Sequence, residues 1–351
     1  MTYKDDWTDG DILYAADLNA NLEIINKIHS MFLKNSIQFE EDDYTADTAD
    51  TSTNFVYNTT LDEYSTIDDT SAIVFETATF VVYPNKSEQM LLIDEGFLCF
   101  QAEVFTTYDE CNDSSIDTDL WTITGAGTGA DANTENTQAM TVKRSGQAVA
   151  IMSTTIITDT DFFGTDTHLV FYNTFYARGY TGAGQYNGST TRKITITDGT
   201  HDIDLVDTSA GAGGMSVTAR YDIIFDSAGT QVYFYIDGVE HASSPFDLSS
   251  LTDDIWKLEL YLAATPTDAG AASEATITIY YVREVASAPS ELTKSISSND
   301  GANYDVITKN IATISTPGYE LKGKISGTYA GETVVIKRVA IGGYNASVML
   351  N

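Results

Sequence analysis

The chain has 351 residues, with 18 basic against 51 acidic side chains and a formal net charge of −33. That charge repels phosphate backbones and excludes nucleic acid as a partner, while a hydrophobic fraction of 42% is enough to bury real cores and excludes an acidic disordered chain. Abundant Thr, 21 Tyr and 15 Phe, with Leu and Lys scarce, suit pleated, half-buried surfaces, so the composition alone favours an all-β class.

The N-terminus has no basic region followed by an apolar one, and nowhere do 18 uninterrupted apolar residues occur, so neither export nor membrane insertion is expected. Residues 15–34 are the only long stretch with helical periodicity: Leu18, Leu22, Ile25, Ile28 and Phe32 recur at spacings of three and four. A stripe this short does not stand alone in water and must pack on the β domain or on copies of itself. Residues 1–35 therefore read as an attachment and oligomerisation helix.

The acidic, small-residue run from Ser36 to Asp50 reads as a solvated linker. Strand runs at 71–83 and 89–105 follow, separated by the turn signal Pro84-Asn85-Lys86, which makes 36–107 a linker and small β unit. From 108 to 288 strands alternate with Gly, Asp, Thr and Asn punctuation. Leu258, Leu260 and Leu262 interleave with Lys257, Glu259 and Tyr261; Ile277 and Ile279 with Thr276 and Thr278; and Val232, Phe234 and Ile236 with Tyr233 and Tyr235 before the hairpin signal Asp237-Gly238. One apolar face per strand implies two sheets packed face to face. Trp121 and Trp256 are expected in that core.

After Ser287-Ala288-Pro289-Ser290 the charge balance shifts, with six basic and five acidic residues in 291–351 against 12 and 46 before them, so 289–351 reads as a C-terminal β domain. Cys99 and Cys111 have no paired spacing and are expected to be free thiols.

Two stretches carry a resemblance. Trp7 to Asn19, W-T-D-G-D-I-L-Y-A-A-D-L-N, resembles the segment that opens many bacteriophage tail-fibre and baseplate-appendage proteins. Tyr108 to Gly125, together with Arg220 to Gly238, resembles the concanavalin A-like lectin and glucanase jelly roll, whose members include lectins, glycosidases and inert structural modules. The first resemblance implies a homotrimeric virion protein, assembled in a host cytoplasm and attached to other virion proteins through Trp7 and the apolar stripe. The second implies a lectin-like sandwich that adheres to host-surface glycans. A purely architectural head-fibre or capsid-decoration protein is the alternative.

Glycosidases of the jelly-roll type carry Glu-x-Asp-x-x-Glu on one strand, because retaining chemistry needs two carboxyls about 5–5.5 Å apart. The sequence has no such run; Asp159 with Asp161 and Asp202 with Asp204 have no Glu at matching spacing, and His29, His168, His201 and His241 are scattered singly. No enzymatic activity is expected on these grounds. For a glycan, Arg178, Tyr180, Gln185, Tyr186, Asn187 and Arg192 offer aromatic faces and planar hydrogen-bonding groups along one Gly-rich loop. No cofactor is expected; calcium is the one cation worth naming, to which Asp202, Asp204 and Asp207, or Asp159 and Asp161, could contribute oxygens, against the favoured reading of a solvated acidic loop.

Overall fold

The computed structural model describes residues 38–43, 49–67, 72–81, 93–127, 129, 131–146, 152–158, 167–179, 189–210, 214–252, 256–265, 273–285, 292–308, 311–328 and 332–344. These residues form strands and no helix, as an all-β chain should. The expected N-terminal helix, with Trp7, Leu18, Leu22, Ile25, Ile28 and Phe32, lies outside the described residues. No helix among them is long and apolar enough to cross a membrane.

Period-two alternation becomes strand wherever one face has something to pack against. In Lys257–Thr265, Leu258, Leu260 and Leu262 are fully buried while the residues between them are partly exposed. This strand is central to a five-stranded sheet ordered Asp202–Ala210, Ser189–Thr197, Lys257–Thr265, Met152–Thr158 and Trp121–Ala126. Facing it, a larger sheet contributes Gln231–Ile236, Met215–Phe225, His168–Gly179, Ser273–Val285 and Met140–Gly146, all antiparallel. Between the sheets lie Phe171, Phe175, Tyr221, Phe234, Ile156, Ile194, Ile277 and Ile279, all fully buried. Each such aliphatic or aromatic side chain stabilises the sandwich by roughly 1.5–3 kcal/mol.

Both tryptophans sit in this core as expected. Trp256 stacks on Phe225 with ring centroids 4.9 Å apart, and the Trp121 indole N–H donates to the Asp109 carboxylate. At the hairpin after Gln231–Ile236, Asp237 and Gly238 have φ of 50° and 77°, the left-handed pair that a tight two-residue turn requires.

A second core joins Phe55, Tyr64, Phe75, Ile93 and Leu98 to Ile296, Leu321, Ile325, Val334 and Ile336. Segments on both sides of the sandwich in sequence therefore fill one core. The 17-residue strand Ile93–Asp109 links it to the sandwich. Most of its length pairs with Glu332–Tyr344, and its last residues pair with Ser273–Val285, so one large sheet runs through both cores.

Candidate functional site

On the face of the large sheet turned away from the sandwich core, an open depression of about 630 Å³ is lined by His168, Arg220, Asp222, Ile224, Tyr235, Asp237 and Gly238. Strand alternation builds it. Phe171, Tyr221, Ile223 and Phe234 fill the inner face, so Arg220, Asp222 and Tyr235 must point outward. Asp222 pairs with Tyr235 across one strand boundary and with Val170 across the other, while Arg220 pairs with Tyr172.

Asp222, 8% exposed, is the organising group. Arg220 clamps it through Nε at 3.0 Å and Nη2 at 2.9 Å, and His168 Nε2 lies 3.1 Å from its Oδ1. Burial alone would raise its pKa, but the hydrogen bonds from His168 and Arg220 and the charge of the Arg220 guanidinium outweigh burial and hold the carboxylate below its ordinary range. Asp237 accepts the Arg220 backbone N–H at 2.9 Å, which fixes the hairpin turn as the rim. Beside the depression Tyr172 contacts Tyr280 and Tyr281, with centroids 5.2 and 6.3 Å away. The result is a carboxylate-oriented imidazole, a guanidinium and tyrosine rings on one rigid sheet face.

Of the six residues expected to bind glycan, Arg178 and Arg192 are described, and neither lines this depression. Tyr180, Gln185, Tyr186 and Asn187 lie outside the described residues. Arg178 stacks on Tyr176, its guanidinium 4.4 Å from the ring centroid. Arg192 points the other way, into the sandwich, where it is 9% exposed, 5.5 Å from the Phe175 centroid and 3.3 Å from the Tyr221 hydroxyl. Arg192 shares the inward face of its strand with Ile194 and Ile196, and that alternation removes it from any surface site.

Two of the three expected calcium ligands face a side-chain cation. A bulge between Ile194 and Thr195 sets Asp204 and Asp207 on either side of Lys193, whose ammonium lies 2.7 and 3.3 Å from their carboxylates. The position a metal would take is held by a side-chain cation. Asp202, at the end of that strand, is exposed and pairs with Thr197.

Among the described residues, one other group assembles metal-ligand types: Asp109, Cys111 and Glu135, with ligand atoms within 4.8 Å of one another. Asp109 already receives the Trp121 indole and the Cys111 backbone N–H. Cys111 stands in a polar run yet is fully buried, because a positive φ of 49° turns it inward directly after the long strand.

No protein-family model and no curated protein matches this sequence. Solved structures do match. An uncharacterised protein from Mycobacterium paratuberculosis is 12% identical, with a TM-score of 0.34, over 50% of this chain and 98% of that one. An endo-1,3-beta-glucanase from Streptomyces sioyaensis is 12% identical, with a TM-score of 0.31, over 57% and 97%. A family 16 endo-glucanase from Bacteroides ovatus is 12% identical, with a TM-score of 0.30, over 50% and 98%. Their likeness to this chain is one of jelly-roll architecture.

The expectation of no enzymatic activity is corrected, because its ground was too narrow. Some of the matched structures are named as endo-glucanases, an endo-β-galactosidase and an alginate lyase. The missing Glu-x-Asp-x-x-Glu run tested only one arrangement of carboxyls, on one strand. His168 and Asp222 stand 54 residues apart and meet only once the sheet has formed.

Proposed function

We propose that this protein engages carbohydrate through the depression at His168, Arg220, Asp222, Tyr235 and Asp237, as the glycan-adhesion module of a virion appendage. The observation that carries the glycan reading is the combination on one sheet face of the Tyr235 ring with a fixed guanidinium and two carboxylates. A pyranose offers an apolar face for such a ring and hydroxyls for such planar groups. The appendage reading is supported by the Trp7–Asn19 resemblance and by the apolar stripe that follows it.

The test is calorimetric titration with capsule and cell-wall oligosaccharides. Tyr235→Ala is expected to weaken binding about tenfold, the loss of one stacked ring, with the thermal midpoint retained. Binding unchanged by Tyr235→Ala removes this site, and no binding to any glycan favours the architectural alternative. Loss of a trimer when residues 1–35 are removed, read by light scattering, would support the appendage half of the proposal separately.

A second reading is favoured by the His168–Asp222 contact. An imidazole oriented by a buried carboxylate is the arrangement that general-base chemistry uses. New reducing ends or unsaturated sugar products from a bound polysaccharide, abolished by His168→Asn, would make the depression an active site.

A further inference from the structure

We infer that a small monovalent anion, of the size of chloride, binds between the two sheets of the sandwich at Arg192, Asn173 and Tyr221. The inward face of His168–Gly179 runs Leu169, Phe171, Asn173, Phe175, Ala177, and every one of these side chains is fully buried. Asn173 thus sits between two phenylalanines. The guanidinium of Arg192, from the opposite sheet, contacts Phe175 on one side and the hydroxyl of Tyr221 on the other, and Tyr221 pairs with Phe171. Arg192 therefore lies in the Asn173 layer.

In that layer the polar groups do not satisfy one another. Arg192 Nε and both side-chain polar atoms of Asn173 are buried without a hydrogen-bond partner, and so is Oγ1 of Thr190, two residues before Arg192 on the same inward face. Buried polar groups are almost always paired, and an uncompensated buried cation carries a penalty of several kcal/mol.

The inventory is donor-rich. Arg192 offers Nε–H, Asn173 offers its amide hydrogens, and the Tyr221 hydroxyl, already accepting from Arg192, has its own proton to give; Asn173 Oδ1 is the one unpartnered carbonyl acceptor. Donors converging beside a positive charge specify an anion. The residues around this layer are small: Ala219 pairs with Asn173, Ala264 with Thr190 and Ala275 with Ala177, and all are buried. Sheets held about 10 Å apart need more filling than alanine provides.

The experiment is thermal unfolding of the full chain at constant ionic strength, with chloride exchanged for gluconate. Constant ionic strength holds the screening of the −33 net charge fixed. A saturable rise in midpoint on the order of 2–4 °C with chloride is expected, and Arg192→Met should abolish it. A midpoint indifferent to the anion, or a chloride effect that survives Arg192→Met, overturns the inference. Should Arg192→Met fail to fold, Asn173→Ala is expected to raise the half-saturating chloride concentration about tenfold, and an unchanged value overturns it. Crystals grown in bromide give a direct reading. An anomalous peak within hydrogen-bonding distance of Arg192 Nε is expected, and water in that position with no such peak overturns the assignment.

Discussion

Arg283 and Arg192 are both withdrawn from water, in two regions of the same molecule, and they are compensated in opposite ways. Arg283, 2% exposed, stands where the sandwich meets the second core. Its Nε and Nη2 each donate to Glu110 at 2.7 Å, Nη2 also donates to Glu63 at 3.0 Å, and its guanidinium lies 3.7 Å from the Tyr281 ring centroid. Burial would lower its pKa, but the charges of Glu110 and Glu63 outweigh burial and raise it. Arg192 has one neutral hydroxyl and one aromatic ring. A buried guanidinium is thus a clamp where the chain supplies its counter-charges and a binding group where it does not. Glu63 belongs to the strand Glu63–Thr66 and Glu110 follows the linking strand, so the Arg283 triad ties both cores together.

The largest expected effect lies at the clamp. Arg283→Met removes the guanidinium that the buried Glu63 and Glu110 share, and should cost about 3–5 kcal/mol in urea denaturation. Replacing all three members together, Arg283→Met with Glu63→Leu and Glu110→Leu, should cost far less, because no charge is then stranded. If the triple replacement is as damaging as the single one, the triad acts through packing and the contrast fails. At the other arginine the expected effect is smaller. In chloride-free buffer Arg192→Met removes an uncompensated charge and should leave stability within about 1 kcal/mol of the parent or above it. A loss matching that of Arg283→Met would erase the distinction between the two sites.

Which parts of this were legible in the sequence follows from what alternation encodes. The inward rows of Lys257–Thr265, Ser273–Val285 and Gln231–Ile236 could be read directly, as could Trp121, Trp256 and the Asp237-Gly238 turn, because each depends on local periodicity or turn chemistry. The depression could not be read, although half of its signal was visible. Tyr233 and Tyr235 fall on the outer face by the same alternation, but nothing local says that Asp222 lies opposite Tyr235 or that His168 arrives from a third strand. Arg192 was misassigned for a related reason. Its neighbours in sequence are a polar Gly-rich loop, whereas its neighbours in space are Phe175 and Tyr221. The union of residues 49–105 with 293–344 in one core depends on pairing across more than 200 residues, for which sequence carries no short-range mark.

The smallest effect belongs to a third way of handling buried charge. Glu135 has its pKa pushed up to about 8, first by burial, then by a hydrogen bond with the Asp113 carboxyl and the nearby charge of Asp109. The charged neighbours acting on it are carboxylates, and the carboxyl keeps its proton instead. In the unfolded chain the same group titrates near its ordinary value of about 4.3, so between about pH 4.3 and pH 8 the folded state holds more protons than the unfolded one. The sign follows from linkage: Glu135's contribution is fully present below that window and is lost as pH rises through it. Glu135→Gln, which keeps a donor for Asp113 at every pH, should match the parent near pH 5 and exceed its thermal midpoint at pH 9. Thermal scans across that range check this. If parent and variant run parallel from pH 5 to 9, Glu135 ionises normally, and the acidic cluster takes its place beside exposed carboxylates instead of beside Arg283 and Arg192.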